Sequence, residues 1–496
     1  MQFKINSKEV SQLKADALIV IVNEGKAIGK IDSSTIKGII EKNVAEMNKK
    51  KIKRELFIQL EDKSPIGNVL IWSTEGIKYY NLEEKIKIIG ARVANFCKEY
   101  KLKKISFLLN DKDSELFIGD ITEGIMLGTY SFEKYKKEQE NFYNNFEVEL
   151  VSSAKDNPDL KLKVKNRELI CGCVNEAREI VNEPGEVVYP ERLAELAKGI
   201  AQENGLTFNV LNLEELKKQG YLGIVKVGQG SSYPPVMLTL RYKKNNKNSK
   251  TDIVLIGKGI TFDSGGLSLK PSESMLDMKG DMAGAAAVLY TMKAIAILKP
   301  KVNVTAIIPA AENLPDAKAQ RPGDIFVAKN GKSVEVVNTD AEGRLILIDA
   351  LALAAEEKPK YIIDIATLTG ACVVALGEHI SGVMGNNEGF IKMIINSGKR
   401  MGELFWELPL HEEYKELLKS PYADMRNVGK NRYGGTIVGG LFLQEFVPKD
   451  VAWAHLDIAG PSSLDKSWKY LQPGGTGVGV KTLVEVCCKF IVNSSI

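Results

Sequence analysis

The feature that most constrains this chain is a repeated alternation of short, β-rich apolar runs with longer segments whose apolar residues recur at helical spacing. In the larger, C-terminal part the strand candidates are "VMLTLRY", "DIVLIG", "VNVTAIIPA", "SVEVV", "YIIDIAT" and "AWAHLDIA", and long helical patterns separate most of them. Strands interleaved with helices predict an α/β domain with a central, mostly parallel or mixed sheet flanked by helices. Nearer the N-terminus, "DALIVIV", "NVLIW" and "KISFLL" alternate with segments such as "LEEKIKIIGARVANFCKEY". They predict a second, smaller α/β domain built from βαβ units. From Phe132 to about Asn166 the chain turns polar and charged, apart from the strand candidate "FEVELVSS". "LICGCVNEAREIVNEPG" then reads as a helix linking two domains, stopped by Pro184 and Gly185. The expected division is therefore a smaller domain over residues 1–165 and a larger one over 166–496. "KKNNKNSK" near residue 247 reads as an exposed loop tip.

With 496 residues the chain has ample core and needs no disulfides to fold. Lys and Arg total 67 against 63 Asp and Glu, a net charge of +4, which is too small to imply a nucleic-acid or membrane surface. Six cysteines fall as "CGC", "CC", Cys97 and Cys372, without a C-x-x-C, and read as reduced thiols. "MQFKINSKEV" lacks the pattern of a signal peptide, and the most apolar helix, "AGAAAVLYTMKAIAIL", is short for a bilayer and carries Lys293. These features predict a cytoplasmic protein.

Charge is concentrated at two places. In "NTDAEGRL", residues 338 to 345, Thr339 and Glu342 fit a capping box, and Asp340 suits a helix N-terminus. Taken alone, the stretch reads as a helix start. That reading leaves Arg344 in an unfavourable first turn, and it leaves a carboxylate pair able to converge. The second place is "DIVLIGKGITFDSGGLSLKPSESMLDMKGDMAGAAAV", where a buried-strand pattern runs into Lys258, Asp263, Lys270 and Asp281. Loops at the carboxyl ends of strands are where open α/β sheets bind ligands. Each charge by itself is a plausible solvated loop residue; together the two clusters supply four carboxylates, two lysines and an arginine.

Several chemistries lack their motif. There is no phosphate-binding G-x-x-x-x-G-K-[ST] or G-x-G-x-x-G, no G-x-S-x-G, and "HEEYK" lacks the second histidine of H-E-x-x-H. Only His379, His411 and His455 are available, and none stands near Ser264 in sequence to activate it. An oxygen-rich, histidine-poor set suits Mg, Mn or Zn. Four carboxylates are enough for two ions sharing bridging ligands.

"GKGITFDSGGLSLK", "MKGDMAGAAAV", "NTDAEGRL", "ATLTGA" and "WAHLDIAG", in this order, closely resemble the catalytic domain of the leucyl aminopeptidases, two-metal cytosolic exopeptidases. The resemblance runs from about "AREIVNEPG" to "PGGTGVGV", with a departure at "GEVVYP" that touches no metal ligand. It identifies residues 166–496 as a catalytic domain; residues 1–165 have the size and α/β character of the family's accessory domain.

The resemblance implies that Lys258, Asp263, Asp281 and Glu342 hold the tighter ion and that Asp263, Asp340 and Glu342 hold the more exchangeable one. A lysine ligand must be neutral, which a neighbouring dication favours. Lys270 would stay charged and stabilise the attacked carbonyl oxygen, and Arg344, with the backbone around Gly343 and Leu368, would hold a bicarbonate serving as general base. Met278, Thr367 and Gly370 would line the pocket for an apolar first side chain such as Leu or Met. The cofactors implied are two divalent ions, Mn, Zn or Mg, and bicarbonate. The partners implied are peptides with a free N-terminus, the assembly a homohexamer, and no membrane is involved. DNA binding, a second role of some bacterial members, finds no support in the net charge. A two-metal phosphohydrolase is the other rival. His455 and Asp457 read as buried packing and hydrogen bonding, and "YGGTIVGG" as either a lid or a site of close helix packing.

Overall fold

The computed structural model describes residues 1–29, 34–52, 55–60, 64–139, 142–152, 157–244 and 250–489. The tip of "KKNNKNSK" lies outside them. The chain divides into two compact units, Met1–Gly172 with Ser467–Gln472, and Cys173–Lys466 with Pro473–Ile496. The expected boundary at 165/166 falls inside a helix, Pro158–Asn182, that runs unbroken through it. Of its first two turns only Leu160 and Val164 are buried, an i, i+4 pair too sparse to stand out among lysines in the sequence.

In the first unit the strands are β1 (Gln2–Asn6), β2 (Ala15–Asn23), β3 (Lys26–Ile28), β4 (Glu55–Gln59), β5 (Ile66–Ser73), β6 (Lys104–Leu108) and β7 (Glu147–Val151). They form one sheet in the order β1-β7-β6-β2-β5-β4, with β3 on β2. All pairings are parallel except β3 on β2 and β4 on β5. Residues Ala17 to Val22 of β2 are all buried, as expected of a parallel strand covered on both faces.

The second unit contains β8 (Thr207–Leu211), β9 (Val236–Tyr242), β10 (Ile253–Gly257), β11 (Gly259–Asp263), β12 (Val304–Asn313), β13 (Ile325–Val327), β14 (Ser333–Glu335), β15 (Tyr361–Ala366), β16 (Ile380–Gly385), β17 (Leu404–Glu407), β18 (Met425–Arg426) and β19 (Ala452–Asp457). The main sheet runs β17-β16-β19-β15-β10-β12-β9-β8, with β11 on β12. Its centre, β19-β15-β10-β12, is parallel, and both ends carry antiparallel pairings, so the sheet is mixed. "SVEVV" is a strand, β14, but it belongs to a separate three-stranded sheet with β13 and β18. Only Val334 of its three residues is fully buried.

Helix Ala283–Leu298 packs on β10, β12 and β15 beside helices Pro190–Asn204 and Val480–Lys489; helix Gly343–Glu356 packs on the same strands beside helices Leu222–Gly228 and Gly435–Gln444. The two helices thus cover opposite faces, and the apolar Ala283–Leu298 is almost wholly inside the core. Both helices begin close to the carboxyl edge of the parallel strands. Gly284 makes this possible, because a Cβ there would lie 2.2 Å from the Ile365 carbonyl oxygen at the end of β15.

Candidate active site

The carboxyl edge of the main sheet delivers the charged residues one after another. Lys258 follows β10, Asp263 ends β11, Thr367 and Leu368 follow β15, Asp281 precedes helix Ala283–Leu298, and Glu342 stands at the cap position of helix Gly343–Glu356. Lys258 Nζ lies 2.8 Å from Asp281 Oδ2 and 3.0 Å from Glu342 Oε1, and donates to the Thr367 carbonyl at 2.8 Å. Lys270 Nζ lies 2.8 Å from Asp263 Oδ2 and 2.6 Å from Asp340 Oδ1. One oxygen from each of Asp263, Asp340 and Glu342 falls within 4.8 Å of the others. The two charge clusters of the sequence are one cage, with four carboxylates against two ammonium groups.

Burial sets the electrostatics. Glu342, shielded from water and close to Asp263, is pushed up to about 8 against the pull of Lys258. Burial likewise raises Asp281 to about 6, and Asp340 is raised in the same direction. Burial alone would depress Lys258, but Asp281, Glu342 and Asp263 carry it above the ordinary lysine value. Lys270 is likewise raised against the effect of its burial, chiefly by Asp263. A cage with surplus buried acid favours added cations. Glu342 Oε2 is moreover buried with no hydrogen-bond partner among the described residues, so an acceptor is left over at the point where the acids converge. The donor set, all oxygen apart from lysine nitrogen, fits divalent metal ions.

The capping box expected at "NTDAEGRL" does not form. The helix is capped at Glu342 without any side-chain bond, and Thr339 lies before the cap. Its hydroxyl accepts from Ser268 N at 2.8 Å and donates to the Gly265 carbonyl at 2.7 Å, while Ser268 Oγ accepts from Thr339 N. Thr339 therefore fastens the loop that carries Lys270 to the segment that carries Asp340 and Glu342. Gly265 and Gly266 in that loop have φ of 86° and 64°, the left-handed region where a side chain is strained.

Gly343 touches the cage directly. A Cβ there would stand 2.6 Å from Lys258 Cε and 2.7 Å from Nζ. The lysine end could swing away, but only by giving up its three partners. Gly343→Ala should therefore leave the fold intact while lowering kcat, by on the order of 100-fold, since an ångström of misplacement at a reacting centre costs about that much. Wild-type turnover in a variant with an unchanged melting curve would refute this role of Gly343.

Arg344 is buried; its Nη1 donates to the Asn427 carbonyl at 2.8 Å, and its Nε has no partner among the described residues. The guanidinium carbon lies 6.0 Å from the Phe442 ring centroid, and burial lowers its pKa to about 10. Met278, Thr367, Leu368 and Gly370 line the same cavity of about 350 Å³ as the cage. Thr367 Oγ1 also donates to Asp281 Oδ1 at 2.6 Å, and the Leu368 N–H donates to Asp457 at 3.2 Å. Arg344 and Gly343 do not line that cavity.

Several residues were not singled out in the sequence. Asn313, at the end of β12, donates to Asp263 Oδ1 at 2.8 Å and to the Thr339 carbonyl at 3.0 Å. The Asn427 amide donates to the Asn338 carbonyl at 2.7 Å and accepts from Val337 N at 2.8 Å, holding the segment that precedes Asp340. Asp277, Val373, Ala459 and Ser462 add to the cavity wall. No spacing rule marks any of them. His455 is wholly buried, with Nδ1 2.5 Å from Asp364 Oδ1, and Trp453 Nε1 donates to Asp364 Oδ2 at 2.6 Å, in keeping with a packing role. "YGGTIVGG" forms the start of helix Gly435–Gln444, and its glycines serve close packing. A Cβ at Gly440 would lie 2.8 Å from Met384 Sδ, and one at Gly439 would lie 3.3 Å from Arg344 Nη2.

Residues 175–484 match the model of the cytosol aminopeptidase family, catalytic domain. A probable cytosol aminopeptidase from a Sulfurihydrogenibium species is 39% identical over 492 residues, covering 97% of each chain. One from Persephonella marina is 47% identical over 364 residues, 73% of this chain and 72% of that one. Among solved structures, a mutant of tomato leucine aminopeptidase superposes with a TM-score of 0.84 at 32% identity, covering 99% of this chain and 96% of that one. The bottromycin maturation enzyme BotP in complex with Mn superposes with a TM-score of 0.82 at 29% identity, covering 96% and 99%.

Proposed function

The chain belongs to the cytosol aminopeptidase family and is a metal-dependent aminopeptidase, and from that premise we propose how its residues divide the work. Lys258, Asp263, Asp281 and Glu342 would hold one divalent ion, and Asp263, Asp340 and Glu342 would hold the other. The chemistry that bound ions would supply there is polarisation of the first peptide carbonyl and acidification of a water. The observation that carries this reading is the convergence of four carboxylates and two lysines in a cavity that Met278, Thr367 and Gly370 also line.

Lys270, kept charged by the acids around it, donates to the carbonyl oxygen, and its contact strengthens as negative charge builds there. Arg344, with the backbone at Gly343 and around Leu368, would hold a bicarbonate that supplies a general base; the Arg344 Nε, without a partner among the described residues, supports an anion beside it, whereas the Leu368 N–H is already given to Asp457. Met278, Thr367 and Gly370 receive the first side chain, with Leu and Met preferred. A Cβ at Gly370 would meet nothing within 4 Å, which leaves room for such a chain. The substrates are peptides with a free N-terminus, and the ions are Mn, Zn or Mg; the Mn in the BotP structure favours the first.

The catalytic domain expected over 166–496 is supported by the family match over 175–484, with its start moved to Cys173 and Ser467–Gln472 given to the smaller unit, which is the accessory domain expected over 1–165. Cytoplasmic residence and a homohexamer complete the proposal on the strength of the family likeness; sedimentation would test the assembly.

Ion binding should release protons. Lys258, kept protonated by the acids around it, must give up its ammonium proton to serve as a ligand, and the raised Glu342 carboxyl adds to the release, so affinity weakens as the pH falls. Calorimetric titration at about pH 7, in buffers of different ionisation enthalpy, measures this linkage, and a heat independent of buffer would contradict it. The function itself is tested by release of leucine from leucinamide with Mn²⁺ or Zn²⁺, compared with chelator-treated protein and an N-acetylated substrate. Cleavage of the free-amine substrate alone, and only with metal, is expected; equal cleavage of the blocked substrate would reject the free N-terminus requirement.

A further inference from the structure

Asp457 ends β19 at the carboxyl edge of the sheet, in register with Ala366 of β15 on one side and Gly382 of β16 on the other. It is completely buried, yet no lysine or arginine forms an ion pair with it among the described residues; the charge of Arg344 acts on it only at longer range. Burying a carboxylate is costly unless hydrogen bonds replace its water. Three donors do so here. Leu368 N donates to Oδ1 at 3.2 Å, Ala459 N to Oδ1 at 3.2 Å, and Thr369 Oγ1 to Oδ2 at 2.7 Å.

The donors come from two different loops, and both loops line the cavity. Leu368 and Thr369 belong to the segment after β15; Ala459 opens the segment after β19 that also brings Ser462 to the wall. The bond directions are determined as well. Thr369 Oγ1 gives its single proton to Asp457, so it accepts from Cys372 N at 3.1 Å and from the Thr436 hydroxyl at 2.8 Å. Thr369 thereby caps helix Gly370–Leu376, whose first residue is Gly370. One buried carboxylate thus holds both side walls and the start of the helix that adjoins them.

We propose that Asp457 is a positioning residue for selection of the first side chain, joining the Thr367–Gly370 wall to the Ala459–Ser462 wall of the cavity. It touches neither the cage nor the reacting atoms. This rests on the reading of the cavity as the pocket for that side chain. Without Asp457 the two loops lose their common acceptor and can part, so a large apolar side chain loses more contact than a small one.

The test compares kcat/KM for leucinamide and alaninamide in the metal-loaded wild type, Asp457→Ala and Asp457→Asn. In Asp457→Ala the Leu-to-Ala ratio should fall by on the order of tenfold, mainly through KM for leucinamide, with both ions still bound. Asp457→Asn should restore most of the ratio, because its amide oxygen can still accept from Leu368 N and Ala459 N. A merely structural role would lower the melting temperature and leave the ratio alone, and that result overturns the proposal. If Asp457→Ala does not fold, Thr369→Val decides, since it keeps the shape of the wall but cuts the hydroxyl link; an unchanged ratio there also overturns it. A wild type that does not distinguish the two amides would instead refute the reading of the pocket.

Discussion

Asp340→Ala should abolish turnover while the protein stays folded. Asp340 is the most exposed of the four acids, its side chain 34% accessible, and its ion pair is with Lys270. Removing it leaves Lys270 still paired with Asp263 at 2.8 Å, so no buried cation is stranded. It also relieves repulsion between two neighbouring carboxylates, so the metal-free variant should be no less stable than the parent. What disappears is one corner of the Asp263, Asp340 and Glu342 group. Metal analysis should find fewer ions per chain than in the parent, with no leucine released from leucinamide. Full activity in this variant would remove Asp340 from the metal site.

Lys270→Ala should lower kcat by about 10² to 10³, the usual loss when one donor to a developing oxyanion is deleted, with a much smaller change in KM. Lys270 is suited to that part because the surrounding acids keep it protonated, and because its loop is pinned at both ends. Its own backbone N–H donates to the Ser264 carbonyl at 2.9 Å, and the Thr339 hydroxyl clamps Ser268 N at 2.8 Å and the Gly265 carbonyl at 2.7 Å. Assays at saturating metal are essential, since loss of the ammonium also leaves Asp263 and Asp340 freer to bind ions. A rise in KM alone would mean that Lys270 only helps to bind substrate.

Much of the fold was legible because it rests on local pattern. "VMLTLRY" is β9 residue for residue, and "AGAAAVLYTMKAIAIL" is the helix Ala283–Leu298. Continuous apolar runs mark strands and helices buried on all sides, and such elements form the centre of the main sheet and its covering layer. Two of the strands that escaped notice are of another kind, whereas β16, four of whose six residues are buried, was missed because glycines interrupt its apolar run. β8, none of whose residues is fully buried, and β17, with three of its four residues exposed, lie at the edges of the sheet and carry no long apolar run. β14 shows the converse, a strand candidate that formed but lies in a separate small sheet.

In the site, the types and order of the charged residues were determined by the sequence alone: Lys258, Asp263, Lys270 and Asp281 in one cluster, Asp340, Glu342 and Arg344 in the other. Which atoms meet was decided by tertiary structure. Thr339 fits a capping box by spacing, yet its hydroxyl serves a loop 71 residues away, because Glu342 takes the cap position and leaves Thr339 outside the helix, against that loop. Asn427 acts on residues 83 to 90 positions away, and Asp457 on a loop 88 and 89 positions away. Periodicity reports only which face of an element is buried, a property of neighbours along the chain. The choice of hydrogen-bond partner in a buried site depends on which strand ends the sheet order brings together, and that order is settled by packing of the whole unit.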